Sequence, residues 1–343
     1  MNKNQLVFLL FLFLIFSCKK KEDALPRFTT GAINTVSVII DDQLWNGEVG
    51  DSVRNKFASP VIGLPQEEPL FTINQYPVKL MEGFMTDSRN IIVIKKGVKN
   101  KFEIKENQYA SPQNVFHISG KTGRDIIEII QKHYLEIIKI IRHTEIEECQ
   151  RINKKSLLNP KIISDKFHLN LQVPSSYEFV MEGENFIWFK KEIVSGNTSL
   201  LVYQVPINVV KKGNDLVSNI IKNRDSIGGL YIHGKEPNTD LITEEAYAPY
   251  FFKIKLDKKQ AYETKGTWEL KNDFMSGPFI NYTIIDEENN RAIVLEGFSY
   301  APSKEKRDLM HDLESIIKSV KISKYNLPKK ISTNDNSMEN KAF

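Results

Sequence analysis

The chain predicts an α+β protein, with two α/β sandwich halves, mainly antiparallel sheets and a long Ile-rich helix between them. Three observations carry this reading. Short β-branched or aromatic runs bounded by turn residues recur throughout, as in Thr35–Ile40 and Phe186–Glu192. One stretch, Thr122 to Asn153, keeps isoleucines at helical spacing far longer than any other. Finally, the part between the polar lead and the polar tail is about 300 residues, more than one core usually supports.

In the first half, residues 35–160, the strand Thr35–Ile40 ends at Asp41-Asp42. Gln43 to Phe57 then places Leu44, Trp45, Val49, Val53 and Phe57 at helical steps, with Asp42 as N-cap. Pro60 to Pro69 reads as a loop. Strands are expected at Leu70–Asn74, Asn90–Lys95 and Phe102–Glu106, with Gly97 and Asn100 turning between the last two. In the long helix, Ile126, Ile130, Tyr134, Ile137 and Ile141 form a stripe that Ile127, Ile129, Ile138 and Ile140 widen. Such a face is broader than one sheet contact needs, which predicts packing between the halves. Thr122 is the expected N-cap, with Asp125 in the place of the capping-box glutamate.

The second half, residues 161–323, opens on the alternating run Phe167–Val173. Strands are expected at Tyr177–Met181, Phe186–Glu192, Ser199–Pro206, Tyr231-Ile232, Tyr250–Leu256 and Thr267–Lys271. Between them, Asp215 to Asp225 reads as a helix stopped by Gly228-Gly229. Phe279–Asp286 and Arg291–Tyr300 form a hairpin around Glu287-Glu288-Asn289-Asn290, because asparagine tolerates the positive φ of such a turn. Ser303 is the expected cap of a last helix with Leu309, Leu313, Ile316, Ile317 and Val320 inward. Residues 324–343 are polar and are expected to be disordered.

The formal charge is +4, from 47 basic and 43 acidic residues that are interspersed, so no basic stripe points to nucleic acid. Hydrophobic residues make up 41%, which suits a packed protein and not a disordered one. The only cysteines are Cys18 and Cys149, and Cys149 is expected to be a buried structural residue.

Location is read from the leader. Lys3 precedes an unbroken apolar run, Leu6 to Phe16, then Ser17-Cys18. The run fits a secretory h-region and is too short to span a bilayer comfortably. The segment resembles a bacterial lipobox, although Phe16 is larger than the usual residue there. The resemblance implies a signal peptide over residues 1–17, lipidation of Cys18 with palmitate-type chains, and a tether over 18–34. Lys21-Glu22-Asp23 resembles the surface-export signal of Bacteroidota lipoproteins, beginning later than usual. The protein is then expected on the cell envelope, at the outer membrane, on the periplasmic or the surface side.

Two wider resemblances follow. The element order after Phe167, ending in Ser319-Val320-Lys321-Ile322, resembles the PsbP-type sandwich, which hosts binding and assembly factors. Leu64–Phe71, Arg224-Asp225-Ser226-Ile227, Met275–Phe279 and Glu296-Gly297-Phe298 resemble an uncharacterised Bacteroidota lipoprotein family, domain of unknown function 4837. That resemblance implies location and size and no activity.

No catalytic motif stands out. His143 and Glu147 lie one helical turn apart without a second histidine cluster, so a solvated pair is expected and not a metal site. Ser315–Lys318 has SxxK spacing without its companion motifs. Trp268, Phe274, Met275 and Phe279 are candidates for the lip of a groove. Ser52 and Ser226 follow aspartates, as in the Asp-Ser-apolar acceptor of Bacteroidota O-glycosylation. No cofactor is expected. The expected role is a non-enzymatic binding or assembly factor held on the membrane by its lipid anchor, with a protein or glycan partner in the envelope. The alternative is a hydrolase acting on an envelope polymer, drawing on Glu67, Glu68, Glu182, Glu184, Asp240, Glu244 or Glu245. Replacing Cys18 by Ala is expected to abolish labelling by a palmitate analogue, and retention of label would refute the anchor.

Overall fold

The computed structural model describes residues 27–323. The leader, Cys18 and the tail after Ser323 lie outside the described residues. The α+β class holds, with mainly antiparallel strands. Two compact units are interleaved in sequence: residues 73–141 join the first, whereas 56–72 join the second along with everything after Ile141.

The first unit contains β1 (Arg27–Phe28), β2 (Thr35–Ile40), α1 (Asp42–Trp45), α2 (Glu48–Phe57, shared with the second unit), β3 (Thr72–Tyr76, Thr72 excepted), β4 (Asn90–Lys96), β5 (Lys101–Glu106), β6 (Ala110–Ser111) and β7 (Asn114–Gly120). Its main sheet has the order β3-β2-β4-β7-β5. β2, β4 and β7 are parallel, and β5 closes antiparallel on β7, so this sheet has a parallel centre. Such a centre is buried on both faces, and Asn90–Ile94 is a continuous buried run. The expected single helix from Gln43 is broken into α1 and α2 at Asn46-Gly47. Asp41, not Asp42, holds the N-cap position, without a side-chain cap. The long helix α3 (Gly123–Asn153) begins as its sequence requires. Thr122 Oγ1 accepts from the Asp125 amide at 3.2 Å, while Asp125 Oδ2 accepts from the Thr122 amide at 2.9 Å.

The second unit continues with α4 (Lys161–Phe167), β8 (Leu169–Asn170), β9 (Glu178–Gly183), β10 (Phe186–Ile193), β11 (Gly196–Pro206), α5 (Ile207–Val210), α6 (Leu216–Tyr231), β12 (Leu241–Thr243), β13 (Tyr250–Leu256), β14 (Lys259–Leu270), β15 (Ser276–Asp286), β16 (Arg291–Tyr300), α7 (Arg307–Lys318) and β17 (Lys321–Ile322). Its main sheet runs β12-β14-β15-β16-β11-β10-β9, with β13 also on β14, and all its pairs are antiparallel. One core joins α4 and α7 to Ile187, Phe189, Leu200, Val202, Tyr282 and Leu295. A separate core gathers Phe186, Leu201, Tyr203, Trp268, Phe279, Val294 and Phe298 under Ile221, Ile227 and Tyr231 of α6. Adjacent residues along β11 and β16 divide between the two cores, as the pleat demands.

Several expectations change here. The run Phe167–Val173 ends a helix and adds only a two-residue strand, because His168 takes the left-handed conformation at φ 52°. Its odd residues are still all buried, so the alternation reports burial and not extension. Helix α6 does not stop at Gly228-Gly229 and runs on to Tyr231, so the strand expected at Tyr231-Ile232 is absent. A Cβ at Gly228 would stand 2.3 Å from the Leu241 carbonyl oxygen. The glycine therefore admits β12 against the helix. β14 starts well before Thr267, because Asp257 and Lys258 both take positive φ and make a two-residue hairpin with β13.

The last helix is capped from a distance. Ser303 lies outside it, and the N-cap position is Lys306, whose side chain makes no cap. Glu68, buried, accepts from the Lys306 amide at 2.7 Å and the Arg307 amide at 2.7 Å instead. A carboxylate there satisfies orphan amides and opposes the positive end of the helix dipole. It also ties residues 56–72 to the second unit. Glu68→Ala should cost about 1–3 kcal/mol, as lost hydrogen bonds to a charged acceptor do. Ser303→Ala should stay within about 0.5 kcal/mol. Equilibrium urea unfolding of both variants checks this.

Candidate functional site

The second unit buries charge on both faces of its sheet. On the α6 side, Arg224 Nε lies 2.9 Å from Glu296 Oε1, and both side chains are 1% exposed. The guanidinium sits 3.9 Å over the Phe279 ring and donates from Nη1 to Thr243 Oγ1 at 2.9 Å. Asn281 Nδ2 donates to Glu296 Oε2 at 2.8 Å. Burial raises the Glu296 carboxyl pKa, and the Arg224 charge and the Asn281 hydrogen bond only partly offset it.

On the α7 side, Glu314 accepts from Arg142 Nη2 at 3.0 Å, from the Tyr282 hydroxyl at 3.2 Å and from Lys318 Nζ. Burial opposes its ionisation, yet the charges of Lys265, Arg142 and Lys318 outweigh it and hold the carboxyl well below its ordinary value.

A third network closes the β15–β16 hairpin. Asp286, fully buried, accepts from Arg291 Nε at 2.9 Å and Asn289 Nδ2 at 2.8 Å, and Lys259 Nζ lies 2.9 Å from its other oxygen. Burial would raise its pKa, but those hydrogen bonds lower it below the usual value. Arg291 Nη1 donates onward to Gln204 Oε1 at 2.7 Å, and Gln204 Nε2 donates to Asn185 Oδ1 at 3.0 Å. This chain of polar groups floors a pocket of about 630 Å³. Val205 and Pro206 supply apolar wall, and Glu288, Asn289 and Asn290 come from the hairpin turn. Asn290 holds φ 50°, the conformation its residue type tolerates, and turns the chain into β16.

The residues singled out from sequence lie elsewhere. Trp268 and Phe279 are interior, and Trp268 Nε1 donates to the Ser299 carbonyl at 3.2 Å. They line no groove: burying their rings is what completes the α6-side core. Met275 packs against that core, and Phe274 alone is fully exposed. Ser52 is in α2, and Ser226 is in α6 with its hydroxyl donating back to the Lys222 carbonyl at 2.7 Å. Asp225 ties α6 to β12, accepting from the Thr243 amide at 2.8 Å. Ser315 is buried and donates to the Asp312 carbonyl, while Lys318 pairs with Glu314. His143 and Glu147 form an exposed pair at 3.4 Å.

Of the acidic residues, Glu68 is the cap, Glu182 pairs with Lys166, and Asp240 Oδ1 lies 3.0 Å from His233 Nδ1. Glu67 and Glu184 are exposed. Glu244 and Glu245 meet Glu269, which sequence reasoning passed over. Partial burial and a hydrogen bond to Glu244, which protonated Glu269 donates, raise the Glu269 pKa. Among the described residues no acidic or histidine cluster has the makings of a metal site.

Asn185 and Gln204 carry no signal of a pocket in the sequence; the one feature that points to it is the acidic-and-amide turn Glu287–Asn290 followed directly by Arg291.

Two predictions follow from the networks. Glu296→Ala strands Arg224 in the interior and should cost about 3–5 kcal/mol, against about 0.5 or less for Ser226→Ala, read by denaturant unfolding. The pH dependence has two signs. Glu314 and Asp286 titrate below their ordinary values of 4.5 and 3.8, so their contribution is complete above those values and is lost as pH falls further. Glu296, raised above 4.5, contributes fully below that value and loses its contribution as pH rises. Glu314→Gln should therefore flatten the loss of stability below pH 4.5, measured by urea unfolding at a series of pH values.

No curated protein matches the chain. Residues 156–319 match the family model described as Domain of unknown function (DUF4837), and residues 29–154 match a separate one, DUF8532. The segment Leu64–Phe71 thus falls in the second match and not the first. Both matched families are of unknown function, and together the two matches span most of the described residues.

Proposed function

We propose that the protein is a lipid-anchored envelope factor that acts by binding a protein or glycan partner, without turning a substrate over. The carrying observation is the pocket at the β15–β16 hairpin. It is lined by Asn185, Gln204, Asn289 and Asn290, and by a single carboxylate, Glu288. Amides fixed by a buried ionic network suit recognition. Hydrolysis of a glycosidic polymer needs two carboxyl groups about 5–10 Å apart across a cleft. Glu269, whose pKa is raised by burial, instead lies against Glu244 itself.

The anchor rests on the leader: a basic start, the apolar run Leu6 to Phe16 and Cys18. Two or more acyl chains hold a protein durably on a bilayer. Among the described residues no helix is long and apolar enough to cross a membrane. The outer membrane is the proposed location, and protease shaving of intact cells assigns the face.

The test of binding is crosslinking of the lipidated protein in its own envelope, beside an Asn185→Ala, Asn290→Gly variant whose unfolding midpoint is checked against the parent. A partner recovered with the parent and lost with the variant supports the proposal. Cleavage of envelope polymer by the purified protein, abolished by Glu269→Gln, would replace it with the hydrolase.

A further inference from the structure

The geometry points to a neutral oligosaccharide of two or three sugar rings as the ligand of the hairpin pocket, an inference that rests on the binding role proposed above. Four features carry it: volume, charge, free hydrogen-bonding valence and apolar wall.

The volume of about 630 Å³ falls within the range of small-ligand sites. Charge in and around the pocket is internally compensated. Arg291 and Lys259 share Asp286, Lys259 also lies 3.5 Å from Glu288, and Lys211 pairs with Glu287 at 2.6 Å. A ligand carrying net charge would therefore have to break an existing pair to find a counterion, whereas an uncharged one does not.

The valence left open is of both kinds. Gln204 uses its oxygen on Arg291 and one N–H on Asn185, and Asn289 uses an N–H on Asp286. That leaves the Asn185 amide nitrogen and the Asn289 oxygen free of those bonds, at the two ends of one fixed network. Arg291 Nη2 is buried without a hydrogen-bond partner, a further donor beside the pocket. A sugar hydroxyl donates and accepts at once, so it matches mixed amide valence. Val205 and Pro206 offer apolar surface for the C–H face of a ring. A site that hydrogen-bonds hydroxyls also rejects analogues lacking them.

The test uses the full lipidated protein in detergent, with saturation-transfer NMR and calorimetry. The probes are maltotriose, cellotriose and triacetylchitotriose, beside trigalacturonate and a pentaglutamate peptide. At least one neutral trisaccharide should bind with Kd of about 1 mM or tighter, and the affinity should change less than about twofold when salt is raised into the screening range. Asn185→Ala should weaken it about tenfold or more. Asn290→Gly, which keeps the left-handed turn while removing the amide, should weaken it too, with the unfolding midpoint unchanged.

Binding confined to the charged probes and abolished by salt would overturn the inference, as would no binding to any of the three sugars. If the sugars fail but a crosslinked protein partner is still lost with Asn185→Ala, the binding role stands and the glycan assignment falls. If both fail, both are wrong.

Discussion

Strands β15 and β16 are buried along nearly their whole length, from Gly277 to Asp286 and from Arg291 to Ser299. A sheet centre buried on both faces dictates the rest of the second unit. Each face needs its own cover, so α7 and α4 serve one core and α6 the other. Every charged side chain that the sequence places along the buried run of these strands must then find a partner inside, since an unpaired buried charge costs several kcal/mol. Glu296 finds Arg224, Tyr282 finds Glu314, and Asp286 finds Arg291. Against well-packed apolar residues such pairs gain little, and two of them join α6 and α7 to the strands they cover.

The same constraint places the pocket. Pairing of β15 with β16 continues to Asp286 and Arg291, where the chain must turn. The turn residues leave the core, and the last buried pair becomes an anchor from which polar groups reach outward through Gln204 to Asn185. Rigidity is supplied from below and exposure from above. Amides oriented in advance would lower the entropic cost of holding the proposed ligand.

Much of this architecture is legible in the residues. The Ile-rich stripe of α3, its Thr122–Asp125 cap and the hairpin at Glu287–Asn290 depend on local rules and appear where those rules put them. Features set by distant contacts are not legible. Gly228-Gly229 looks like a stop, but the helix continues because β12 presses on Gly228. Asp257-Lys258 lacks the glycine that advertises a tight hairpin. Glu68 is far in sequence from the helix it caps. The buried strand β7, Asn114–Gly120, is short and carries His117 and Ser119 among its apolar residues, which hides it. The candidate site is the extreme case. Asn185 and Gln204 are unremarkable in sequence and meet Asn289 only through pairing of β10, β11 and β16.

Strongly shifted carboxyl pKa values are often taken to mark active sites. Here the direction and the surroundings argue otherwise. Glu296 has the raised pKa of a general acid, yet it is 1% exposed and held by Arg224 and Asn281. Glu314 has a depressed pKa and is enclosed by three cations and Tyr282. A general acid or base must come within hydrogen-bond reach of the group it serves, directly or through one water. Neither carboxylate lines the hairpin pocket, and both are consumed by partners that the sheet itself supplies. Their shifts measure the cost of burying charge on a two-faced sheet. The pocket, by contrast, presents neutral amides whose valence the fold leaves partly unspent.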